Sequence, residues 1–381
     1  MDALRSAAAA QDRGDASGTH RQRVQRTQIS ASRGVPKRGR RPRRFCYFEL
    51  MRLHTTSTSR RLLALTALTL GGVLFACADG VGQGGATRAG SALPAEAQTF
   101  DEAKAWAHLE ALVSIGPRPA GSGGAVKTVE YLETQLKSFG LNPVRESFVA
   151  RATPAGDVPM CNVYVDLPAA DDSANKAPLI VIGSHFDTKR FEGFEFVGAN
   201  DGGSSTAVLL ELARVLSVGG PRKAAYRLLF IDGEEAIRAH WQDPDNRYGS
   251  RHHVEQLKSS GLLTRVKAFV LLDLVGDKEL RINRDRYSDV WLYECFAAPA
   301  RAAGMSRFVD GRAELIADDH VSFLDAGVPS VDLIDFDYGP GNSWWHTPQD
   351  TLDKCSPKSL GAIGRITLMG LPNVERRLLG K

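Results

Sequence analysis

Two hydrophobic rhythms alternate along this chain. Short, nearly continuous apolar runs recur at Pro178–Ser184 (PLIVIGS), Arg227–Ile231 (within YRLLFIDG), Ala268–Leu272 (AFVLL) and Val328–Ile334. Such runs suit strands buried on both faces of a parallel sheet. Around and between them lie stretches with helical spacing. Asp101–Val113 places Ala103, Trp106, Leu109, Leu112 and Val113 on one stripe, behind the acidic start Asp101–Glu102. Ala125–Phe139 does the same with Val129, Leu132, Leu136 and Phe139, and Gly140 is its expected C-cap. Further helices are predicted over Ser204–Leu216, Tyr248–Ser260, Tyr287–Ala303, His320–Ala326 and Ser356–Leu379. Phe148–Ala150 and Cys161–Val165 read as a pair of hairpin strands. Strands alternating with helices predict an α/β sandwich around a mostly parallel sheet.

The front of the chain has no such rhythm. Residues 1–50 are rich in Arg, Ser, Gly and Ala, and Pro36–Arg44 (PKRGRRPRR) is a dense basic run. That run suits an anionic partner, a disordered tail, or sequence upstream of the true start; the stretch after Met51 favours the last. From Met51 a basic segment leads into the apolar Leu62–Ala76 (LLALTALTLGGVLFA), too short and Gly-broken for a comfortable span. It ends in Leu74-Phe75-Ala76-Cys77, which resembles a lipoprotein signal. The expected organisation is a basic extension over 1–50, a signal over 51–77, a flexible tether over 78–98 and a catalytic domain over 99–381. Export follows, with a membrane anchor through a lipidated Cys77 facing the periplasm or the cell exterior.

Charge separates the same way. Residues 1–61 carry 15 Lys and Arg against 4 Asp and Glu, which leaves 33 basic and 40 acidic residues beyond them. The overall +4 therefore comes from the front, and the mildly acidic remainder argues against a nucleic-acid partner. Beyond Cys46 and Cys77, only Cys161, Cys295 and Cys355 remain, too few for a disulfide framework. One pair among these three is compatible with export.

Polar residues collect just past the apolar runs. His185 and Asp187 follow the first, Asp232, Glu234 and Glu235 the second, and Asp273 the third. Asp201 sits in the turn GANDGG, and His346 follows the last strand after a loop. The carboxyl ends of parallel strands share one edge, where ligands bind. Each residue alone has an ordinary reading, such as a helix cap for Asp201 or a satisfied core imidazole for His185. Asp187 suits either solvent or the second nitrogen of His185. Asp273 interrupts VLLDLV, where an unpaired carboxylate is costly. Gathered at one edge, His and carboxylate ligands suit zinc, and several carboxylates could hold two metal ions.

The blocks SHFDT (184–188), GANDGGSSTAVLLELAR (198–214), DGEEA (232–236), YGSRH (248–252), LLDLVGD (271–277), DDHVSFLDAGVP (318–329) and WWHTPQDTLDK (344–354) resemble, in order, the zinc-dependent aminopeptidases that include the glutaminyl cyclases. A loop bearing Trp241 before YGSRH, together with DDHVSFL and the Trp before His346, is similar to the cyclase branch. The resemblance implies a three-layer α/β sandwich with a mostly parallel, mixed central sheet. It implies one zinc on Asp201, Glu235 and His346, with Glu234 as general acid/base. Asp273 and Asp318 would be hydrogen-bonded carboxylates beside Glu234, and Trp241 and Trp345 would line the substrate pocket. The implied reaction turns the N-terminal glutamine of a peptide into pyroglutamate, releasing ammonia.

Three features leave a second reading open, a two-zinc aminopeptidase in which His185 and Asp273 complete another metal site. That pair is present, HTPQDTLDK suits either branch, and Asp332 stands where animal cyclases would carry a His. A third reading, a membrane-tethered binding protein, predicts loss of Glu234 or of a ligand; none is lost.

Overall fold

The computed structural model describes residues 93–172 and 176–380. The expected basic extension, signal and Cys77 lie outside the described residues, as does most of the tether. Packing has begun by its end: α1 (Ala95–Gln98) is one helical turn with Ala97 buried.

Two amphipathic helices follow, α2 (Glu102–Ile115) and α3 (Gly123–Ser138). Asp101 caps α2 by accepting the backbone N–H of Ala103 and Lys104, and Ser122 caps α3 through Ala125. The hairpin β1 (Val144–Thr153) and β2 (Gly156–Leu167) is much longer than the apolar residues alone predict. Its outer strand alternates exposed and half-buried positions, as an edge strand does, so continuous hydrophobicity marks only part of it. Then come β3 (Leu179–His185), α4 (Ser205–Ser217), β4 (Ala225–Ile231), α5 (Tyr248–Ser259) and β5 (Val266–Asp273). A two-residue pair, β6 (Arg284–Asp285) and β7 (Ala313–Glu314), flanks α6 (Val290–Ala302). The helix predicted from Tyr287 starts later because Asp285 accepts the backbone N–H of Tyr287 and Ser288 in a turn. Last are α7 (His320–Leu324), β8 (Ser330–Ile334) and α8 (Pro357–Leu378).

The main sheet runs β1-β2-β4-β3-β5-β8. β4, β3, β5 and β8 are parallel, and the β1–β2 hairpin joins antiparallel to β4. Alternate residues of β4 face opposite layers. Tyr226, Leu228 and Phe230 join α2, α3, α4, α6 and α8, whereas Ala225, Leu229 and Ile231 join α5 and α7. This is the expected three-layer sandwich with a mixed sheet. Its register puts chemistry on one edge: His185 pairs with Ile231, and Asp273 pairs with Ile334. Cys161, Cys295 and Cys355 are free thiols, so none of the three forms a disulfide.

Candidate active site

The carboxylates expected at the strand ends meet around one residue, Asp201. It lies in the tight turn of residues 199–204 that opens α4, at φ −76° and ψ 108°, and caps no helix. Neighbouring Gly202 takes φ +76°, and a Cβ there would stand 2.7 Å from the Asp187 carbonyl and 3.1 Å from the His185 ring. The turn thus needs glycine to press Asp201 against the sheet edge. Asp350 fixes it from the other side, accepting the backbone N–H of Asn200 at 2.7 Å and of Asp201 at 3.1 Å while Tyr338 donates its hydroxyl to Asp350.

Two triads share Asp201. In one, His346 Nε2 stands 2.9 Å from Glu235 Oε1 and 3.2 Å from Asp201 Oδ2. In the other, His185 Nε2 stands 3.0 Å from Asp273 Oδ1 and 3.3 Å from Asp201 Oδ1. Each triad brings three ligand atoms within 4.8 Å of one another. Asp201 Oδ2 and Glu235 Oε2 are buried without a hydrogen-bond partner. Imidazole and carboxylate donors with unsatisfied buried oxygens fit zinc. His346 adopts a left-handed backbone, φ 55°, unusual for a residue with a side chain. Its ring stacks on Trp345 at 3.9 Å and meets the edges of Phe191 and Phe196. Against the cost of burial, Glu235 and Asp201 carry His346 up to about 10. Burial also opposes ionisation of Asp201, yet the adjacent imidazoles of His185 and His346 hold it below the usual carboxylate range.

Glu234 lies beside the first triad and is 7% exposed. Its Oε1 accepts the Trp241 indole N–H at 2.8 Å, and its backbone N–H donates to Asp187 Oδ1 at 3.1 Å. Burial pushes Glu234 well above the ordinary range, and the nearby charges of Asp318 and Glu235 push the same way. Glu234, Glu235, Asp201, Asp273, Asp318 and His346 line a cavity of about 220 Å³ whose other walls are Trp241, Trp345, Phe336, Ile334 and the 315–317 segment.

Every residue expected at the site is therefore at one edge, but two of the expected contacts differ. Asp273 and Asp318 make their hydrogen bonds elsewhere: Asp273 to His185 and the Leu274 N–H, Asp318 to the Asp319 N–H. Burial, then the charge of Asp273, raises Asp318 to about 7. Asp187 lies 3.6 Å from His185 Nδ1, longer than a hydrogen bond, and spends its carboxylate on the backbone N–H groups of Glu234 and Glu235. It positions the acidic pair more than the imidazole. Asp332 is fully buried on β8, 3.8 Å from His320 Nδ1.

Three residues here escaped the sequence reading. Asp350 was visible only as part of HTPQDTLDK. Arg118, 0% exposed, donates to the carbonyls of Phe186, Leu112, Gly116, Val197 and Gly198, tying both ends of the 186–198 loop to α2. Lys189, in that loop, is 1% exposed.

Residues 162–371 match peptidase family M28. The chain belongs to peptidase family M28. Within the family its similarity runs to glutaminyl cyclases. It is 30% identical over 277 residues to a glutaminyl-peptide cyclotransferase of Drosophila melanogaster, spanning 66% of this chain and 76% of the relative. It is 32% identical to a glutaminyl-peptide cyclotransferase-like protein of Mus musculus, over 65% of this chain and 70% of that one. The crystal structure of an Acidobacteriales bacterium glutaminyl cyclase superposes with a TM-score of 0.68 at 35% identity, covering 73% of this chain and 96% of that one.

Proposed function

We propose that this protein is a zinc-dependent glutaminyl-peptide cyclotransferase, closing the N-terminal glutamine of peptides to pyroglutamate with loss of ammonia. The observation that carries the proposal is Glu234. It is a buried carboxylate, hydrogen-bonded to an indole, in a small aromatic-walled cavity beside Asp201, Glu235 and His346.

Those three residues would hold the zinc, which when bound supplies Lewis acidity toward the glutamine γ-amide oxygen. The protein's own groups do the rest. The peptide's α-amine attacks the carbonyl carbon of its own side-chain amide, so the cavity needs only to hold the chain folded back on itself. Glu234 takes a proton from the attacking amine and returns it to the departing amide nitrogen, which leaves as ammonia. A raised pKa suits a group that must both accept and donate. Trp241 fixes the Glu234 oxygen that faces it. Asp273 and Asp318, close by and both held above the usual range chiefly by burial, are suited to share a proton beside Glu234. Trp345, Phe336 and Ile316 exclude water, whose attack would compete with ring closure.

The test uses zinc-loaded protein with a Gln-initiated peptide and a matching Leu-initiated peptide, both read by mass. Loss of ammonia from the first, with the second intact, is the expected result. Release of free N-terminal residues would overturn it in favour of a two-zinc aminopeptidase, which the complete second triad keeps in view. Turnover of neither peptide would return the tethered binding protein.

Export and a lipid on Cys77 belong to the same proposal and rest on the sequence before residue 78. Membrane fractions should retain the wild type and lose Cys77→Ser.

A further inference from the structure

Lys189 has no part in the chemistry above. It is almost fully buried and lies among the residues that shape the first triad. Its Nζ donates to the Ala236 carbonyl at 2.6 Å and stands 3.6 Å from Glu235 Oε2. The other oxygen of the same carboxylate, Oε1, is the one 2.9 Å from His346. Glu235 is thus divided: one oxygen faces the ligand set, and the other, without a hydrogen-bond partner, faces an ammonium. The lysine is held there by its loop. The Thr188 hydroxyl accepts the Arg118 N–H, and the Arg118 guanidinium ties the loop's two ends. Burying a cation is costly unless a compensating charge is close, and Glu235 is the carboxylate within ion-pair distance.

A carboxylate can bind a metal ion through one oxygen or through both. We propose that Lys189 restricts Glu235 to one-oxygen ligation, leaving a ligand position for the substrate amide oxygen. This rests on the reading of Asp201, Glu235 and His346 as the zinc ligands. Drawing Oε2 toward a bound cation would bring that cation toward the ammonium, and like charges repel strongly at a buried site. The consequence runs against ordinary expectation. Removing Lys189 removes the repulsion and frees Oε2, and both effects tighten zinc. The same change fills the position the substrate needs, so turnover falls. If Lys189 only stapled its loop to residue 236, its loss would loosen Glu235 and weaken zinc instead.

The experiment titrates the metal-free, full-length chain with zinc against a chromophoric chelator, for the wild type, Lys189→Met and Lys189→Gln. The glutamine variant keeps a neutral donor for the Ala236 carbonyl. Both variants should bind zinc at least about tenfold more tightly while kcat on the Gln-initiated peptide falls. Equal or weaker zinc binding in a folded variant overturns the proposal. A crystal structure of the zinc-loaded wild type decides it even if neither variant folds. One Glu235 oxygen at about 2.0–2.2 Å from zinc is expected, and two would overturn it. Failure of the underlying reading looks different: His346→Ala would then keep wild-type zinc affinity, whatever Lys189 does.

Discussion

The two triads around Asp201 contain the same chemistry in different surroundings. The His346 triad opens on the cavity, with the His346 side chain 15% exposed and an aromatic box around it. In the His185 triad the imidazole is sealed, His185 being 1% exposed with Phe186 and Asp187 wholly buried beside it, and only Asp273 and the shared Asp201 reach the cavity. One imidazole is therefore placed where a substrate can arrive, and the other is built into the end of the sheet. Donor type does not separate them; access does. At the His346 triad, Glu235 Oε2 is buried without a hydrogen-bond partner. At the other, Asp273 and Asp201 engage Nε2 of His185, while its Nδ1 is buried without a hydrogen-bond partner.

The sharpest way to break this comparison is at the open side. Glu234→Gln keeps the shape of the carboxylate and its bond from Trp241 but removes its basicity. It should lower kcat about a thousandfold and leave zinc content unchanged, measured by turnover of a Gln peptide and by metal analysis. A small loss of turnover would mean that the proton moves through another group, with Asp318 next in line.

Paired histidine variants come next. His346→Ala should abolish tight zinc binding, because the open triad loses its only nitrogen donor. His185→Ala should keep one tightly bound zinc per chain but lose stability, because Asp273 is left buried without its imidazole and Asp201 keeps only His346. A cost of about 3 kcal/mol in urea unfolding of the metal-free protein is expected. If zinc analysis instead shows two ions in the wild type and one in His185→Ala, the sealed triad is a working metal site and the peptidase reading regains ground.

A smaller effect sharpens the role of the cavity wall. Trp241→Phe retains an aromatic surface and removes only the N–H donated to Glu234. A hydrogen bond to a charged group contributes about 2 kcal/mol, so kcat should fall about tenfold to thirtyfold with little change in KM. A change confined to KM would make Trp241 a binding surface only.

What was legible in the chain follows from the same contrast. Strand ends announce themselves, because a continuous apolar run that stops at His185, at Asp232-Gly233-Glu234-Glu235 or at Asp273 marks both the sheet and its edge. Asp201 and His346 were legible through the tight turn and the ordered blocks. The residues that hold these ligands were not. Asp350 acts on the backbone of Asn200 and Asp201, 150 and 149 residues away, and such pairing leaves no local pattern. Arg118 stands between two prolines in GPRP, and Lys189 opens the mixed polar and aromatic stretch KRFEGFEF. Burial of a charged residue is decided by what folds over it, and nothing in its neighbours' hydrophobicity announces that. Asp273 and Asp318 illustrate the converse: each carboxylate accepts from a backbone N–H, and Asp273 also meets an imidazole, partners that offer a donor outright.

A third histidine tests whether partners, rather than burial, set these groups. His108 on α2 is half-buried, its ring bonds the Tyr131 hydroxyl at 2.7 Å, and no carboxylate among the described residues pairs with it. Burial, helped by the charge of Arg214, pulls it down to about 4, whereas carboxylates carry the still more deeply buried His185 well above 6.5. The sign follows from linkage. Between about pH 6.5 and 4 the unfolded chain binds a proton on His108 that the folded chain does not, so its contribution is complete above pH 6.5 and is lost as pH falls through that window. The loss is about 2 kcal/mol after allowing for its partial exposure. Unfolding free energy should therefore fall less steeply from pH 6.5 to 4 in His108→Phe than in the wild type. Parallel curves would mean that His108 protonates freely in the folded protein, and that burial of an imidazole in this fold costs less than the contrast with His185 requires.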